Sequence, residues 1–80
     1  MKLPRDVSGK ALVTALLRMG YEKVRQDGSH VRLTHPGPPQ HHLTIPLHAQ
    51  LRPGLLAAIL DQVAAAHHMS RQGVIMQLFG

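Results

Sequence analysis

The sequence predicts an α+β fold with the element order α-β-β-β-α, in which a three-stranded antiparallel sheet is followed by a helix and a short C-terminal helix. Three observations predict it. Apolar residues recur at helical spacing near both ends of the chain. Three short segments with strand-like alternation lie between them. An Asp-Gly pair and a proline-rich loop separate these segments. We expect the helices to cover one face of the sheet and to leave the other open to solvent.

Size and composition restrict the class of protein. Eighty residues predict a single domain, residues 1–80, with a small core. The apolar fraction of 44% is sufficient for a globular fold. The chain has no cysteine, which excludes disulfides, thiolate chemistry and cysteine-dependent zinc sites. The N-terminal segment has no apolar region typical of a signal peptide, and the run LLAAIL is too short to cross a membrane. We therefore expect a soluble cytoplasmic protein without a membrane partner.

The first helix is predicted from Gly9 to Met19. Ser8 is a favourable N-cap residue, and Gly20 can adopt the left-handed conformation that ends a helix. The apolar stripe consists of Leu12, Ala15, Leu16 and Met19. These side chains fall on one helical face, so we expect them in the core.

The three strands follow. The segments YEKVRQ and SHVRLTH flank Asp27-Gly28, a pair that favours a type I′ hairpin turn because that turn needs positive φ at both central residues. The segment HPGPPQH cannot continue a hydrogen-bonded ladder, since it contains three prolines and a glycine. The third strand is predicted in HHLTIPL, where apolar residues alternate.

The second helix is predicted to begin at Pro53, because proline is favoured in the first turn. Its apolar residues at helical spacing are Leu56, Ile59, Leu60 and Val63. Ser70 can cap a short last helix. The apolar residues of that helix are Val74, Ile75, Leu78 and Phe79.

The hairpin register assigns the strand side chains to two faces. With Asp27-Gly28 as the loop, Arg25 faces His30, and side chains alternate between faces along each strand. The residues expected on the core side are Val24, Val31 and Leu33. The residues expected on the open side are Lys23, Arg25, His30, Arg32, His42 and Thr44. A loop of Gly28 and Ser29 would keep these faces, whereas a three-residue loop would exchange them.

Charge suggests the kind of partner. Nine lysines and arginines oppose four acidic residues, so the formal net charge is +5 and the isoelectric point is near 10.9. This excess favours polyanions such as nucleic acid. Like charges opposite each other disfavour a sheet unless an anion compensates them, and a phosphate would do so. Nearby cations also favour the neutral form of the His30 imidazole, which is the form that a general base needs. The alternative is an ordinary polar face with a histidine beside a turn.

Five short motifs occur in a fixed order: SGK before the first helix, GY after it, RQDGSH in the hairpin, TIPLH in the third strand and LRPGLL at the second helix. In this order, over roughly residues 3–62, the chain resembles the HicA (YcfA-like) toxins of bacterial toxin–antitoxin pairs. The resemblance implies a double-stranded-RNA-binding-domain-like fold and an mRNA-cleaving endoribonuclease. It also implies a HicB-type antitoxin as protein partner, with DNA reached only through that antitoxin. The long proline-rich loop and the lack of acidic residues in the last helix depart from the family's pattern.

The resemblance also implies a site. The family's catalytic histidine lies in its Gly-Ser-His motif, which here is Gly28, Ser29 and His30. An imidazole in that position could take the proton of the 2′-hydroxyl of mRNA, a route that requires no metal and no cofactor. The residues expected to bind RNA are Lys10, Lys23, Arg25, Gly28, Ser29 and Arg32. Lys10 is included because helix N-termini favour phosphate, although a solvated surface lysine is the alternative.

The remaining histidines predict no metal site. They lack the spacing of known ligand motifs, and adjacent histidines point in different directions on a strand or a helix. His48 is expected to cap or pack rather than to react. Two other functions stay open: a non-catalytic RNA-binding module, and a degenerate toxin that acts mainly by binding its antitoxin. His30 favours cleavage, because binding alone would not need an imidazole there.

Overall fold

A computed structural model describes residues 3–80. The elements in chain order are α1 (Gly9–Arg18), β1 (Glu22–Asp27), β2 (His30–His35), β3 (His41–Pro46), α2 (Pro53–Ala66) and α3 (Arg71–Phe79). The strands form one antiparallel sheet in the order β1-β2-β3. The predicted fold class and element order are confirmed. The ends of α1 and of all three strands lie within one residue of their predicted positions.

The N-terminus of α1 packs directly on the end of β3. The Ser8 hydroxyl accepts a hydrogen bond from the backbone N–H of Ala11 at 3.0 Å, which satisfies one of the unpaired donors of the first turn. The backbone N–H of Gly9 donates to the carbonyl of His48 at 2.9 Å. A Cβ added at Gly9 would collide with the carbonyl oxygen of Pro46. Only glycine therefore allows this close approach between helix and strand.

The hairpin turns at Gly28 and Ser29 rather than at Asp27 and Gly28. Asp27 pairs with His30 and is the last residue of β1. Gly28 has a φ of +58°, while Ser29 has a negative φ. Positive φ at the first loop residue alone is the pattern of a type II′ turn. The predicted type I′ turn at Asp27-Gly28 was wrong, and the alternative two-residue loop is the one that forms.

A β-bulge interrupts β1 between Lys23 and Arg25. Arg25 pairs with Arg32, but Lys23 pairs with Leu33, so Val24 is the extra residue. Beyond such a bulge the side chains exchange faces. Lys23, predicted on the open face, therefore shares the core side with Leu33. Val24, predicted in the core, is 54% exposed. Both predictions were wrong for this one reason.

A single cluster of buried side chains joins the inner face of β2 and β3 to the helices. Its fully buried members are Leu12, Leu16, Leu33, Ile45, Leu56, Leu60, Val63, Val74 and Leu78. Burying a side chain of this kind stabilises the fold by about 1.5–3 kcal/mol. The helices are also joined by polar contacts: Arg71 donates two hydrogen bonds of 2.7 Å to Asp61, and Arg18 donates to the carbonyl of Leu78 at 3.1 Å. Within residues 3–80 no helix has the length and apolar character needed to span a bilayer.

Candidate active site on the open face of the sheet

The face of the sheet turned away from the helices, called the open face below, is polar and charged. Its residues are Glu22, Arg25, Asp27, His30, Arg32, Thr34, His42 and Thr44. Strand pairing arranges them in three rows, namely Asp27 beside His30, Arg25 beside Arg32 and Thr44, and Glu22 beside Thr34 and His42. Of the residues predicted on this face, all except Lys23 lie on it.

His30 is exposed at the end of the sheet nearest the hairpin turn. It is the first residue of β2, and it pairs with Asp27 on one side and with Pro46 on the other. The turn itself is tied to the end of β3, because the backbone N–H of Leu47 donates to the carbonyl of Ser29 at 2.6 Å. The imidazole therefore projects into solvent from a backbone held on both sides. Such a group can exchange a proton with a molecule lying on the open face.

The two arginines of the middle row differ in their partners. The Arg25 Nε donates to Asp27 Oδ2 at 2.9 Å, and both side chains are about two-thirds exposed. An exposed ion pair of this kind contributes little, about 0–1 kcal/mol, so an incoming phosphate can compete with it. Within residues 3–80 the ion pairs are this one and Arg71–Asp61, which leaves Arg32 without a carboxylate partner. Arg32 is thus the cation beside His30 that is available to an anion.

Other predicted RNA-binding residues lie elsewhere. The Lys23 Nζ donates to Gln26 Oε1 at 2.7 Å, and both lysines, Lys10 and Lys23, border a groove between α1 and β1 on the helix side of the sheet. Gly28 and Ser29 form the turn beside His30, where the Gly28 carbonyl accepts a hydrogen bond from Gln26 at 3.1 Å. The structure therefore groups His30, Arg25 and Arg32 with the turn, and separates the two lysines from them.

Sequence reasoning missed two features of this face. Asp27 was assigned to the loop, but it lies opposite His30 and holds Arg25. The alternative loop of Gly28 and Ser29 was the signal that could have placed it there. The second feature is a pocket that brings Gln62 of α2 next to the open face. Nothing in the strand pattern indicates which residue of a distant helix reaches the sheet edge.

A separate histidine cluster lies on the core side at the other end of the sheet. The Tyr21 hydroxyl is 2.6 Å from Nδ1 of His41 and 3.0 Å from Nε2 of His67. The ring of His35 packs edge-on against His67, with centroids 4.8 Å apart. Burial, followed by the neighbouring histidines, lowers the pKa of both His41 and His67. Burial also raises the pKa of Tyr21 to about 12, so its hydroxyl keeps its proton.

Neither this cluster nor His48 adds a reactive group to the open face. His48 is exposed, and its carbonyl accepts the hydrogen bond from Gly9 that anchors α1. Among residues 3–80 no group of three or more histidine, aspartate or glutamate side chains is arranged to hold a metal ion. The open face therefore carries two histidines, each one row from Arg32, namely His30 and His42. Nδ1 of His42 lies 2.8 Å from the Thr34 hydroxyl, whereas His30 follows the hairpin turn in the Gly-Ser-His segment.

Comparison with known proteins identifies the family. Residues 9–64, more than half of the chain, match the family model described as HicA toxin of bacterial toxin-antitoxin. The match spans α1, the whole sheet and most of α2, and so includes every residue of the open face. No curated protein and no solved structure matches the chain. The chain belongs to the HicA toxin family and is a toxin of a bacterial toxin–antitoxin system, which implies an antitoxin as its partner.

Proposed function

We propose that this toxin is an endoribonuclease that cleaves mRNA, with His30 as the general base and without a metal ion. The observation that carries the proposal is the position of His30, which is exposed at the turn end of the open face, one row from Arg32, and Arg32 has no carboxylate partner within residues 3–80. Membership of the HicA family supports a toxic activity for this fold. A module that only bound RNA would use the arginines but would not need an imidazole beside them.

The nucleophile comes from the RNA. A neutral ring nitrogen of His30 takes the proton of a 2′-hydroxyl, and the 2′-oxygen forms a bond to the adjacent phosphorus. The bond from phosphorus to the 5′-oxygen of the next nucleotide breaks, and that oxygen takes a proton from solvent. The products are a 2′,3′-cyclic phosphate and a 5′-hydroxyl. Atoms and charge balance without any cofactor.

The arginines act on the phosphate. Negative charge grows on the phosphoryl oxygens as the 2′-oxygen attacks, and a guanidinium donates charge-assisted hydrogen bonds to such oxygens. Arg32 lies two residues from His30 on β2, about 7 Å along the strand. An extended arginine side chain covers this distance. Arg25, directly across from Arg32, can shift from Asp27 to the same phosphate.

The chemical groups at the ends of the RNA fragments test this reaction. A single-stranded RNA should be cut to fragments that carry 2′,3′-cyclic phosphate and 5′-hydroxyl ends, which mass spectrometry distinguishes from other ends. The same strand with one 2′-deoxynucleotide on the 5′ side of the cleaved bond should resist cleavage at that bond alone. Fragments with a 5′-phosphate and a 3′-hydroxyl would contradict the reaction, because they require a water nucleophile.

Metal removal tests the same proposal independently. Because the 2′-hydroxyl is activated by His30, excess EDTA should leave the cleavage rate unchanged in the assay above. If EDTA abolished cleavage and a divalent ion restored it, the metal-independent reaction would be wrong.

The antitoxin that silences this toxin is, we propose, a HicB-type protein that covers the open face. An acidic surface on that partner would complement Arg25 and Arg32, and occlusion of His30 would stop cleavage. The affinity of the complex should therefore fall when salt is raised, and fall further with Arg32→Gln. A complex that left His30 accessible to solvent in hydrogen-exchange or structural measurements would rule out inhibition by occlusion.

A further inference from the structure

A second polar feature adjoins the row of Arg25, Arg32 and Thr44 at the β3 edge of the sheet. A pocket of about 330 Å³ lies between the open face and α2, and its lining residues are Arg32, His42, Leu43, Thr44 and Gln62. Four of these five residues have polar side chains, and no carboxylate is among them. A pocket that combines one cation with uncharged donors and acceptors suits an anionic ligand that also has a polar edge.

The hydrogen-bonding groups of the pocket are suited to a nucleobase. The Gln62 amide offers a donor and an acceptor side by side, the pattern that reads a base edge with two hydrogen bonds. Thr44 is exposed in the same pocket and offers a hydroxyl. The Thr34 hydroxyl lies 2.8 Å from Nδ1 of His42 and fixes the imidazole ring, which leaves Nε2 of His42 available to a ligand.

The pocket also contains flat surfaces for stacking. The sequence contains one tyrosine and one phenylalanine. Tyr21 is buried on the core side, and Phe79 belongs to α3. On the open face the planar groups are therefore imidazole and guanidinium, and unpaired RNA bases stack on both kinds. Those of His42 and Arg32 both line the pocket.

The pocket is continuous with the candidate active site. Arg32 belongs both to the pocket lining and to the row next to His30. Thr34, which holds His42, is four residues from His30 on β2, on the order of 13 Å along the strand. That distance corresponds to one or two nucleotides of an extended strand. A phosphate on Arg32 would thus lead the RNA from His30 into the pocket.

We propose that this pocket is a base subsite, in which Gln62 and Thr44 read a nucleobase one or two nucleotides from the cleaved bond. The inference rests on the proposed ribonuclease function and adds sequence preference to it. Gln62 and Thr44 are specificity-determining residues in this account, while His30 performs the reaction. The single-stranded RNA follows β2 from the hairpin turn toward His42.

The test is the cleavage profile on a pool of single-stranded RNA with a randomised segment, read by sequencing the fragment ends. The wild-type protein should show a base preference at one position within two nucleotides of the cut. Gln62→Ala and Thr44→Val should each reduce that preference, by roughly tenfold for the glutamine because a bidentate contact is lost. On the preferred sequence these changes should raise KM and leave kcat close to wild type.

Gln77→Ala is the matched control, because Gln77 is also an exposed helical glutamine but lies on α3, away from the pocket. It should leave the profile unchanged. If the wild type cut the pool without preference near the cleaved bond, or if Gln62→Ala and Thr44→Val kept the wild-type profile, the subsite would be wrong while cleavage itself stood. If the wild type cut no RNA, the proposed function would fail, and the subsite with it.

Discussion

Arg25 lies directly opposite Arg32 on the open face, so two guanidinium groups share one row of the hairpin. Side chains paired in this way have Cβ atoms about 4.5–5.5 Å apart, and like charges at that distance destabilise a sheet. Asp27 offsets the repulsion at Arg25, but Arg32 has no such partner within residues 3–80. A phosphate bound between the arginines would complete the neutralisation.

The arginine row leads to a prediction about salt. Arg32→Gln should weaken binding of single-stranded RNA and should reduce the slope of log K against log salt by about 0.7, the value for one lost phosphate contact. Arg25→Gln should act in the same direction, and the double variant should lose more than either. Fluorescence anisotropy at several salt concentrations, with His30→Ala in every protein to prevent cleavage, measures this. An unchanged slope in the double variant would place RNA on another surface.

The β-bulge leads to a second prediction. Lys23 contacts Gln26 on the helix side of the sheet, so Lys23→Gln should weaken RNA binding much less than Arg32→Gln does. Both changes remove one positive charge, so the comparison separates position from net charge. Anisotropy under the conditions above measures it. Equal losses for the two variants would mean that RNA responds to overall charge rather than to the arginine row.

The sequence predicts the helices and strands, but it does not predict this bulge or the faces of the residues beyond it. Helical spacing, the Ser8 cap and the strand alternation are local patterns, and they predicted every element. An extra residue in an exposed edge strand cannot be recognised from the sequence, because that strand has no buried apolar residues whose alternation would reveal it. Lys23 and Val24 were therefore placed on the wrong faces. His30, Arg25 and Arg32 lie on the turn side of the bulge, where the alternation from the hairpin holds.

The remainder of the candidate site depends on tertiary contacts. The distance of Gln62 from the open face depends on how α2 packs against β3, and a helical pattern fixes only which face of α2 is apolar. The same holds for Tyr21 and His67, which are 46 residues apart and share a hydrogen bond. Sequence spacing carries no signal for such contacts.

The close approach of α1 to β3 leads to a prediction about stability. Gly9→Ala should destabilise the fold by roughly 1–3 kcal/mol, as overpacking does, because the new Cβ would collide with the carbonyl of Pro46. Gly54→Ala is the matched control: it lies in the first turn of α2, and a Cβ there meets no atom within 4 Å. That change should stabilise by about 0.4–1 kcal/mol. Urea denaturation measures both, and a neutral Gly9→Ala would contradict the packing.

The histidine cluster leads to a prediction about pH. The pKa values of His41 and His67 are lowered in the folded state below the ordinary value of 6.5. The unfolded chain therefore takes up protons first as pH falls, so the stability that these residues contribute is complete above about pH 6.5 and is lost below it. The free energy of unfolding, measured by urea denaturation from pH 7.5 to 5, should fall accordingly.

Replacing the two histidines tests the origin of that pH dependence. The double variant His41→Gln, His67→Gln removes both groups, so its free energy of unfolding should fall less steeply below pH 6.5 than that of the wild type. Each single variant should show an intermediate slope. If the double variant kept the full wild-type slope, the pH dependence would have to come from other residues.

The role of His30 as the general base is tested most directly by the rate of RNA cleavage by His30→Ala. Alanine has no proton-accepting nitrogen, so cleavage should fall by about 10²–10⁴-fold while RNA binding is largely retained. Because His30 is exposed, stability should change by no more than about 0.5 kcal/mol. Val31→Ala, at a buried position on the opposite face, should instead destabilise the fold by about 0.5–3 kcal/mol and lower activity only through loss of folded protein. A folded His30→Ala protein that cleaved RNA at the wild-type rate would contradict a catalytic role for His30.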